Sequence, residues 1–257
     1  MLKKRIIGVI TICNGIAIQS CGYKSYLPLG NPLIIAENLD RWGVDEILLQ
    51  NIDRTKKKLG PDLLLLEKIK KFNISTPVIY SGGINSFEDS QAVIQSGADR
   101  ICIDSLIIND LKMVKKISSK VGSQALIASL PVTIINKAIN HFNYLSNEYY
   151  LAMQLIIKIL KENIFSEFFI TDFRHEGVFN GFDRNILKHL SIIDTPLILF
   201  GGITNENFIK LALANKNISA IAIGNMFNYK EHSLQKLKER VNSHMLRKPI
   251  FSGKDFT

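Results

Sequence analysis

Short apolar runs alternate with amphipathic stretches along the whole chain. Near-continuous apolar runs are typical of strands buried on both faces of a parallel sheet, and the stretches between them place apolar residues at helical spacing. The predicted strands are 5–11, 45–51, 77–81, 100–104, 124–129, 167–172, 196–200 and 219–223. The predicted helices are 32–42, 62–72, 86–96, 109–121, 148–163, 183–190, 205–214 and 231–246. Eight strand–helix units predict an α/β fold of the (β/α)8 TIM-barrel type, with a doubly wound open sheet as the alternative.

Residue types repeat between the two halves of the chain. Glu46, Gly60 and Asp62 return at one constant offset as Glu167, Gly181 and Asp183, and the Gly82-Gly83 pair returns as Gly201-Gly202. An open sheet does not need symmetric halves, so the repeat favours the barrel. We predict a single domain, 1–257, built from two homologous half-barrels at about 1–122 and 123–243. The tail 247–257 is expected to be extended.

Two connections are long for a compact domain. Residues 12–31 follow the first predicted strand, and residues 131–147 follow the fifth, which is its equivalent in the second half. Long loops of this kind are usually functional or disordered. In barrels the chemistry lies on the loops after the strands, so we expect these two loops to cover the site.

Composition narrows the functional classes. The chain has 257 residues, 46% of them apolar, and a net charge of +9 whose only tight cluster is 56–58. Without a nucleic-acid-reading motif, this charge indicates a solvated basic surface and no nucleic-acid partner. Cys13, Cys21 and Cys102 lack the spacing of metal ligands or of a disulfide framework, so no metal and no cofactor is expected. No apolar run is long enough to span a membrane, and the start lacks a signal-cleavage site, so the expected location is cytoplasmic.

Glycine pairs and strand ends indicate two anion sites. Each Gly-Gly pair follows a predicted strand, where its backbone N–H groups can approach an anion closely. Ser105 follows the fourth predicted strand, and Gly224 and Asn225 follow the eighth. The predicted phosphate-binding residues are Gly82, Gly83, Ser105, Gly201, Gly202, Gly224 and Asn225. Two such sites fit a ligand with a phosphate at each end. Alternatively, the glycines only make tight turns. Asp104 would repel a phosphate in the first half if its side chain points inward.

Four charged residues stand at the beginnings of predicted strands 1, 2, 4 and 6. They are Arg5, Glu46, Arg100 and Glu167. At the N-terminal mouth of a barrel they can form a closed ring of ion pairs. Judged by position alone, such a ring at the barrel bottom indicates a role in stability.

The chain resembles the cyclase subunit of imidazole glycerol phosphate synthase over about 1–243. The resemblance rests on 1–7, 43–46, 81–84, 97–100, 122–124, Gly177, 181–183 and 201–202. That family binds a two-phosphate substrate and receives ammonia through the barrel from a glutaminase subunit docked at the N-terminal face. The resemblance implies that the four charged residues are an ammonia gate and that Gly177 belongs to the phosphate site.

The chain departs from the family where proton transfer occurs. The family's two catalytic aspartates correspond to Thr11 and Pro131, its substrate-contacting Lys to Gln19, and a second-half Asp to Glu176. Proton transfer needs a group that titrates near the working pH, and neither Thr nor Pro supplies one. The catalytic group is therefore unknown. The titratable groups that could replace the aspartates are Asp53, Arg54, His141, Asp172, Arg174, His175 and Glu176.

These departures match a branch of paralogues that makes amidino sugars for surface polysaccharides. The matching features are Asn14-Gly15, Tyr26 and the stretch 30–32. The resemblance implies an ammonia-dependent, lyase-type synthase subunit that works with a glutaminase and a sugar amidotransferase on a phosphorylated or nucleotide-sugar acceptor. Two alternatives are a genuine cyclase of histidine biosynthesis and a non-catalytic scaffold that binds a phosphorylated ligand.

Overall fold

Eight parallel strands close into a barrel in a computed structural model that describes residues 3–178, 181–228, 232–241 and 244–249. The strands are β1 (Arg5–Cys13), β2 (Ile16–Cys21), β3 (Ser25–Gly30), β4 (Glu46–Asn51), β5 (Val78–Ser81), β6 (Arg100–Ile103), β7 (Leu126–Ile135), β8 (Ala138–Asn143), β9 (Glu148–Leu151), β10 (Glu167–Asp172), β11 (Leu197–Phe200) and β12 (Ile218–Ile223). The barrel follows the order β1-β4-β5-β6-β7-β10-β11-β12, and β12 pairs with β1. The predicted barrel is confirmed, and the open sheet is wrong.

Helices surround the barrel and follow its strands. They are α1 (Pro32–Trp42), α2 (Arg54–Lys57), α3 (Leu63–Lys71), α4 (Phe87–Gln95), α5 (Ser105–Asn109), α6 (Leu111–Val121), α7 (Ala152–Leu160), α8 (Arg184–Leu190), α9 (Glu206–Ala214) and α10 (Ser233–Val241). Local signals explain their bounds: Asn31 caps the Leu33 N–H at the start of α1, and Gly43 ends that helix at φ 78°. Among the described residues, no helix is both long enough and apolar enough to cross a bilayer. Residues 250–257 of the predicted tail lie outside the described part of the chain.

The two predicted loops are strands instead. β1 continues into an antiparallel sheet with β2 and β3, and β7 continues into one with β8 and β9. Asn14 and Gly15 turn the first hairpin at φ 53° and 74°, and Asn136 and Lys137 turn the second at φ 48° and 63°. Two consecutive positive φ values are typical of tight hairpin turns, a signal that the loop prediction overlooked. The helix predicted at 148–163 begins only at Ala152, because 148–151 form β9.

Two apolar layers fill the molecule. The larger lies between the strands and the helices, and the smaller fills the barrel interior. The interior side chains come from alternate strand positions: Ile7, Val9, Leu48, Ile79, Cys102, Ile127, Phe169, Ile198, Phe200, Ala220 and Ala222. Side chains alternate between the two faces of a strand, so every barrel strand contributes to both layers. The interior is a packed apolar layer with polar residues at each end.

A buried ion pair joins the last described helix, α10, to the residues that precede β4. The side chains of Lys238 and Asp45 are each 2% exposed, with Lys238 Nζ 3.6 Å from Asp45 Oδ2. Lys238 also donates to the Gly43 carbonyl oxygen at 2.9 Å, and the Ile6 N–H donates to Asp45 at 2.7 Å. Burial lowers the pKa of Lys238, although Asp45 opposes that shift. One buried lysine therefore joins helix α10 to the residues that precede β4.

Replacing Lys238 should destabilise the fold more than replacing a surface lysine. Lys238→Met leaves the buried Asp45 carboxylate with only the exposed Arg247, whose Nε lies 3.5 Å away, as a cationic partner, so we expect a loss of about 3 kcal/mol in the free energy of unfolding. The matched control is Lys112→Met, at an exposed position of α6, which should change stability by less than about 0.5 kcal/mol. Urea unfolding monitored by circular dichroism measures both, and equal losses would contradict the assignment.

Candidate functional site at the two ends of the barrel

The four predicted charged residues meet at the N-terminal end of the barrel. Arg5 Nη1 lies 2.7 Å from Glu46 Oε2, and Arg5 Nη2 contacts Glu167 Oε1. Arg100 Nη1 lies 2.6 Å from Glu167 Oε2 and 3.4 Å from Glu46 Oε1. Each guanidinium therefore contacts both carboxylates, and each carboxylate contacts both guanidiniums. We call this closed arrangement of Arg5, Glu46, Arg100 and Glu167 the charged ring.

Two serines complete the hydrogen bonding of the charged ring. Arg100 Nη2 donates to Ser166 Oγ at 2.7 Å, and Arg5 Nη2 donates to Ser219 Oγ at 3.1 Å. Ser219 also hydrogen-bonds Glu167, from a β12 position where the pairing with β11 shifts register. The bulge inserts one residue and so places a hydroxyl beside the ring.

The two carboxylates of the ring are not equivalent. Burial raises the pKa of Glu46 above its ordinary value, and the attraction of Arg5 and Arg100 does not fully offset it. Burial acts on Glu167 in the same direction, but Arg5, Arg100 and Ser219 together hold the pKa of Glu167 below its ordinary value. The longest contact of the ring, between Arg100 and Glu46, involves the more easily protonated carboxylate. The ring is therefore weakest at that link.

The apolar interior separates the charged ring from the C-terminal mouth. Its largest members are Phe169 and Phe200, whose ring centroids lie 5.5 Å apart. Both are buried, together with neighbouring Ile127 and Ile198. A charged species crossing this layer would lose its hydration without gaining partners, whereas a small neutral molecule would not meet that cost.

The C-terminal mouth contains an open central pocket of about 1000 Å³, which we call the mouth pocket. One side of the pocket is a wall of aromatic rings. They come from the two strand extensions, β2–β3 and β8–β9, and from Phe173 after β10. Tyr23 stacks on Phe173 at 6.3 Å between ring centroids, and Phe173 stacks on Phe142 at 4.1 Å. The Tyr23 hydroxyl donates to Gln50 Oε1 at 3.3 Å. The polar residues that line the pocket include Gln50, Asn51, Ser81, Asp104, Ser129, Tyr144 and Thr171.

Thr11 and Pro131, which the sequence comparison predicts to replace the family's two aspartates, lie at this end. Pro131 lines the mouth pocket and pairs with Thr171 of β10. Thr11 is buried on β1, between Gln50 of β4 and Ile18 of β2. Neither side chain can exchange a proton near neutral pH.

The first-half glycine pair is engaged by side chains of the chain itself. Gly82 and Gly83 have φ values of 117° and 72°, and the Gly83 N–H donates to Thr55 Oγ1 at 2.9 Å. Asp104 Oδ1 accepts from the Ser105 N–H and caps α5. Tyr144, which follows β8, lines the mouth pocket together with Asp104. Burial raises the pKa of Asp104, and hydrogen bonding from Ser105 opposes that rise.

The second-half glycine pair borders a separate open pocket of about 520 Å³, the glycine pocket. Gly201 and Gly202 repeat the first pair's conformation, with φ values of 103° and 67°. Its lining includes Gly177, Thr204, Gly224 and Asn225. Among residues 3–178 and 181–228, no acceptor lies within hydrogen-bonding distance of the Gly202 N–H. The two glycine pairs therefore share a backbone conformation but differ in the hydrogen bonding of the second glycine's N–H.

Glu176 fastens the first strand extension over the glycine pocket. Its carboxylate accepts from the Ser20 hydroxyl at 2.9 Å and from the Tyr23 N–H at 3.1 Å. A side chain at Gly177 would come within 2.0 Å of the Ser20 carbonyl oxygen, so the close approach needs glycine. Burial raises the pKa of Glu176, and the hydrogen bonds from Ser20 and Tyr23 reduce that rise. Gln19 of the same extension lines the pocket.

Two other titratable candidates, Asp172 and His141, have roles or positions that do not point to catalysis. Asp172 Oδ2 lies 2.7 Å from His175 Nδ1 and accepts from the Asp183 N–H at 2.7 Å, which holds the loop after β10 in place. His141 shares a face of β8 with buried Ile139, opposite Phe142 of the mouth pocket, and burial lowers its pKa to about 4. His141 therefore does not face the pocket.

Asp53, Arg54 and Arg174 also lie outside the pocket linings described above. Asp53 accepts from the Asn14 N–H at 3.1 Å and from Lys57 Nζ at 2.8 Å. Arg54 donates to the Gly60 carbonyl oxygen at 2.5 Å, and Arg174 is exposed. The first two fix the chain around α2.

Sequence reasoning missed Thr55, Tyr144, Tyr23 and Asn51. Thr55 occupies the position that the repeat pairs with Glu176, since both follow the constant offset that links Glu46 to Glu167. That comparison could have identified Thr55. The positions of Tyr144 and Tyr23 depend on the path of the strand extensions, and no local sequence pattern indicates that they line the site.

Comparison with known proteins agrees with this architecture. The sequence profile described as "Histidine biosynthesis protein" matches residues 5–233. A putative imidazole glycerol phosphate synthase subunit hisF2 of Vibrio vulnificus is 26% identical over 249 residues, covering 96% of this chain and 91% of the relative. A protein of the same description from Parasynechococcus marenigrum is 27% identical over 268 residues, covering 100% and 98%. The imidazole glycerol phosphate synthase subunit HisF of Natranaerobius thermophilus is 26% identical over 241 residues, covering 93% and 95%.

The family match spans most of the chain, and the relatives are matched over nearly their full lengths. The chain therefore belongs to the histidine biosynthesis protein family, as a divergent paralogue of the HisF type.

Proposed function

We propose that this protein is the synthase subunit of a glutamine amidotransferase complex. In this proposal a glutaminase docks at the N-terminal end, and ammonia passes the charged ring and the apolar interior. At the C-terminal mouth, ammonia is transferred to a phosphorylated or nucleotide-sugar acceptor, as in the synthesis of amidino sugars for surface polysaccharides. A sugar amidotransferase is the third partner.

The closed charged ring is the observation that carries this proposal. Removing four charges from water is costly, and well-packed apolar residues would often stabilise a protein as well or better. Ion pairs at the barrel axis thus suggest a role beyond stability. The apolar layer above them suits a passage for neutral ammonia, because ammonium would lose its hydration there. Passage needs the side chains of this layer to move aside.

The mouth supports the acceptor and third-partner parts of the proposal. Backbone N–H groups in a glycine-rich loop form a concave site suited to a phosphoryl group, which the glycine pocket can provide. The outer strands β3 and β9 are exposed along their lengths, with Leu27 and Leu151 more than half exposed. Exposed apolar edge strands beside a mouth fit a surface for another protein.

The two alternatives fit the residues less well. A histidine-pathway cyclase needs an acid and a base in the mouth, where Thr11 and Pro131 stand at the expected positions. A non-catalytic scaffold has no need of a charged ring across its axis. Both remain distinguishable by experiment.

A glutaminase subunit should bind this protein and respond to the charged ring. We expect co-expressed glutaminase to co-purify and to release glutamate about tenfold faster with the barrel than without it. Glu167→Ala should reduce that stimulation about tenfold, because Arg5 and Arg100 lose a shared partner at the docking face. Glutamate release and size-exclusion chromatography are the measurements.

The control for this experiment is Glu162→Ala, which removes a partly exposed pair with Lys115 at 2.6 Å. It should leave glutamate release unchanged, since exposed pairs contribute little. A soluble wild-type barrel that neither binds nor stimulates the glutaminase would refute the proposal.

Complementation tests the histidine-pathway alternative. We expect no growth when this protein is expressed in a histidine auxotroph lacking the cyclase subunit, since each missing acid or base typically removes about 10²–10⁴ in rate. An authentic HisF subunit in the same vector is the positive control. Growth with this protein would replace our proposal by the cyclase.

A further inference from the structure

We propose that the ligand of this barrel carries a single phosphoryl group, held in the glycine pocket, and presents a hydroxyl-bearing ring to the mouth pocket. The first-half glycine pair then holds no phosphate. What happens to this ligand rests on the proposed function, whereas the way in which it binds does not.

The first-half amides already have partners within the chain. The Gly83 N–H donates to Thr55 Oγ1 at 2.9 Å, and the Ser105 N–H donates to Asp104 Oδ1. A phosphate at this position would have to displace both acceptors. An exchange of one satisfied hydrogen bond for another gains little free energy.

Charge and occupancy oppose a phosphate at the same position. Asp104 borders the mouth pocket, and its carboxylate would repel a nearby dianion. Tyr144 lines the same pocket as Asp104, so an aromatic side chain also takes up space at this end. Lys56 lies 5.5 Å from the centroid of the Tyr144 ring, where a cation stabilises this arrangement. The first half is closed by side chains.

The second half has one carboxylate at its pocket, Glu176, but lacks a side-chain acceptor at its glycine amide. The repeat pairs Thr55 with Glu176, but the Glu176 carboxylate is turned to Ser20 and Tyr23 and leaves the Gly202 N–H without an acceptor among the described residues. Asp104 and Ser105 correspond to Gly224 and Asn225, which add no charge to the pocket. One phosphoryl group therefore has a suitable site in this half.

The mouth pocket, which Lys24 and Lys56 also line, suits a polar ring. Asn51 lines it, and the buried Asn51 Nδ2 has no hydrogen-bond partner among the described residues. That donor needs an acceptor such as a hydroxyl oxygen, and Asp104 supplies an acceptor for a hydroxyl group. The stacked Tyr23 and Phe173 rings give the pocket an apolar face. Hydroxyls on one side and an apolar face on the other are the surface of a sugar-like ring.

Phosphate binding to matched variants tests the inference. Thr204 lines the glycine pocket, and its counterpart in the first half is Asn85. We expect inorganic phosphate to raise the melting temperature of the wild type and of Asn85→Asp, but not of Thr204→Asp, because binding stabilises only the folded state that binds. Ribose 5-phosphate should bind about tenfold more tightly than inorganic phosphate, a difference that thermal titration resolves.

Crystals soaked in inorganic phosphate locate the site directly. The expected result is one phosphate at Gly202 and Asn225 and none at Gly83 and Ser105. The double variant Thr55→Ala, Asp104→Gly should gain a second phosphate at the freed amides. A phosphate at Gly83 in the wild type, loss of binding in Asn85→Asp alone, an adventitious ion only, or no binding would each overturn the inference. If phosphate binds as expected but no glutaminase is stimulated, only the proposed function fails.

Discussion

Closure of the sheet is the constraint on which the rest of this molecule depends. Because β12 pairs with β1 and β7 pairs with β10, every inward side chain lies in the interior or at one of its two ends. Polar inward residues are thereby confined to the N-terminal and C-terminal mouths, with apolar residues between them. The charged ring and the mouth pocket share one axis for this reason. Whether a passage connects them depends on how the interior side chains pack.

The two halves keep a common backbone while their side chains diverge. Gly82 and Gly201 both have large positive φ values, and each lies against the backbone oxygen of a strand-end residue, Asn51 or Asp172. The divergence lies in residues around these glycines, notably Thr55 against Glu176. Symmetry in the fold therefore does not imply symmetry in the ligand.

Much of this architecture could be predicted from the sequence. The eight apolar runs and the repeat predicted the closed barrel, and the positions of Arg5, Glu46, Arg100 and Glu167 at strand starts predicted that they would meet. Those inferences depend on periodicity and on register, which are local properties. The phosphate residues and the gate stay predictions, since position alone does not establish a ligand.

The remainder depended on tertiary geometry. The strand extensions were predicted as loops, although Asn14-Gly15 carried a hairpin signal that could have been used. Tyr144 and Asp104 are far apart in sequence but line the same pocket, and no local pattern indicates that they meet there. The Lys238–Asp45 pair was missed for the same reason.

The aromatic wall has a mechanical consequence. Tyr23 comes from the first extension and Phe142 from the second, and Phe173 stacks between them, so the two extensions are joined through one ring. Neither can swing outward without separating stacked faces on the other. Opening of the mouth on either side would therefore separate stacked rings, so we expect the two extensions to move together.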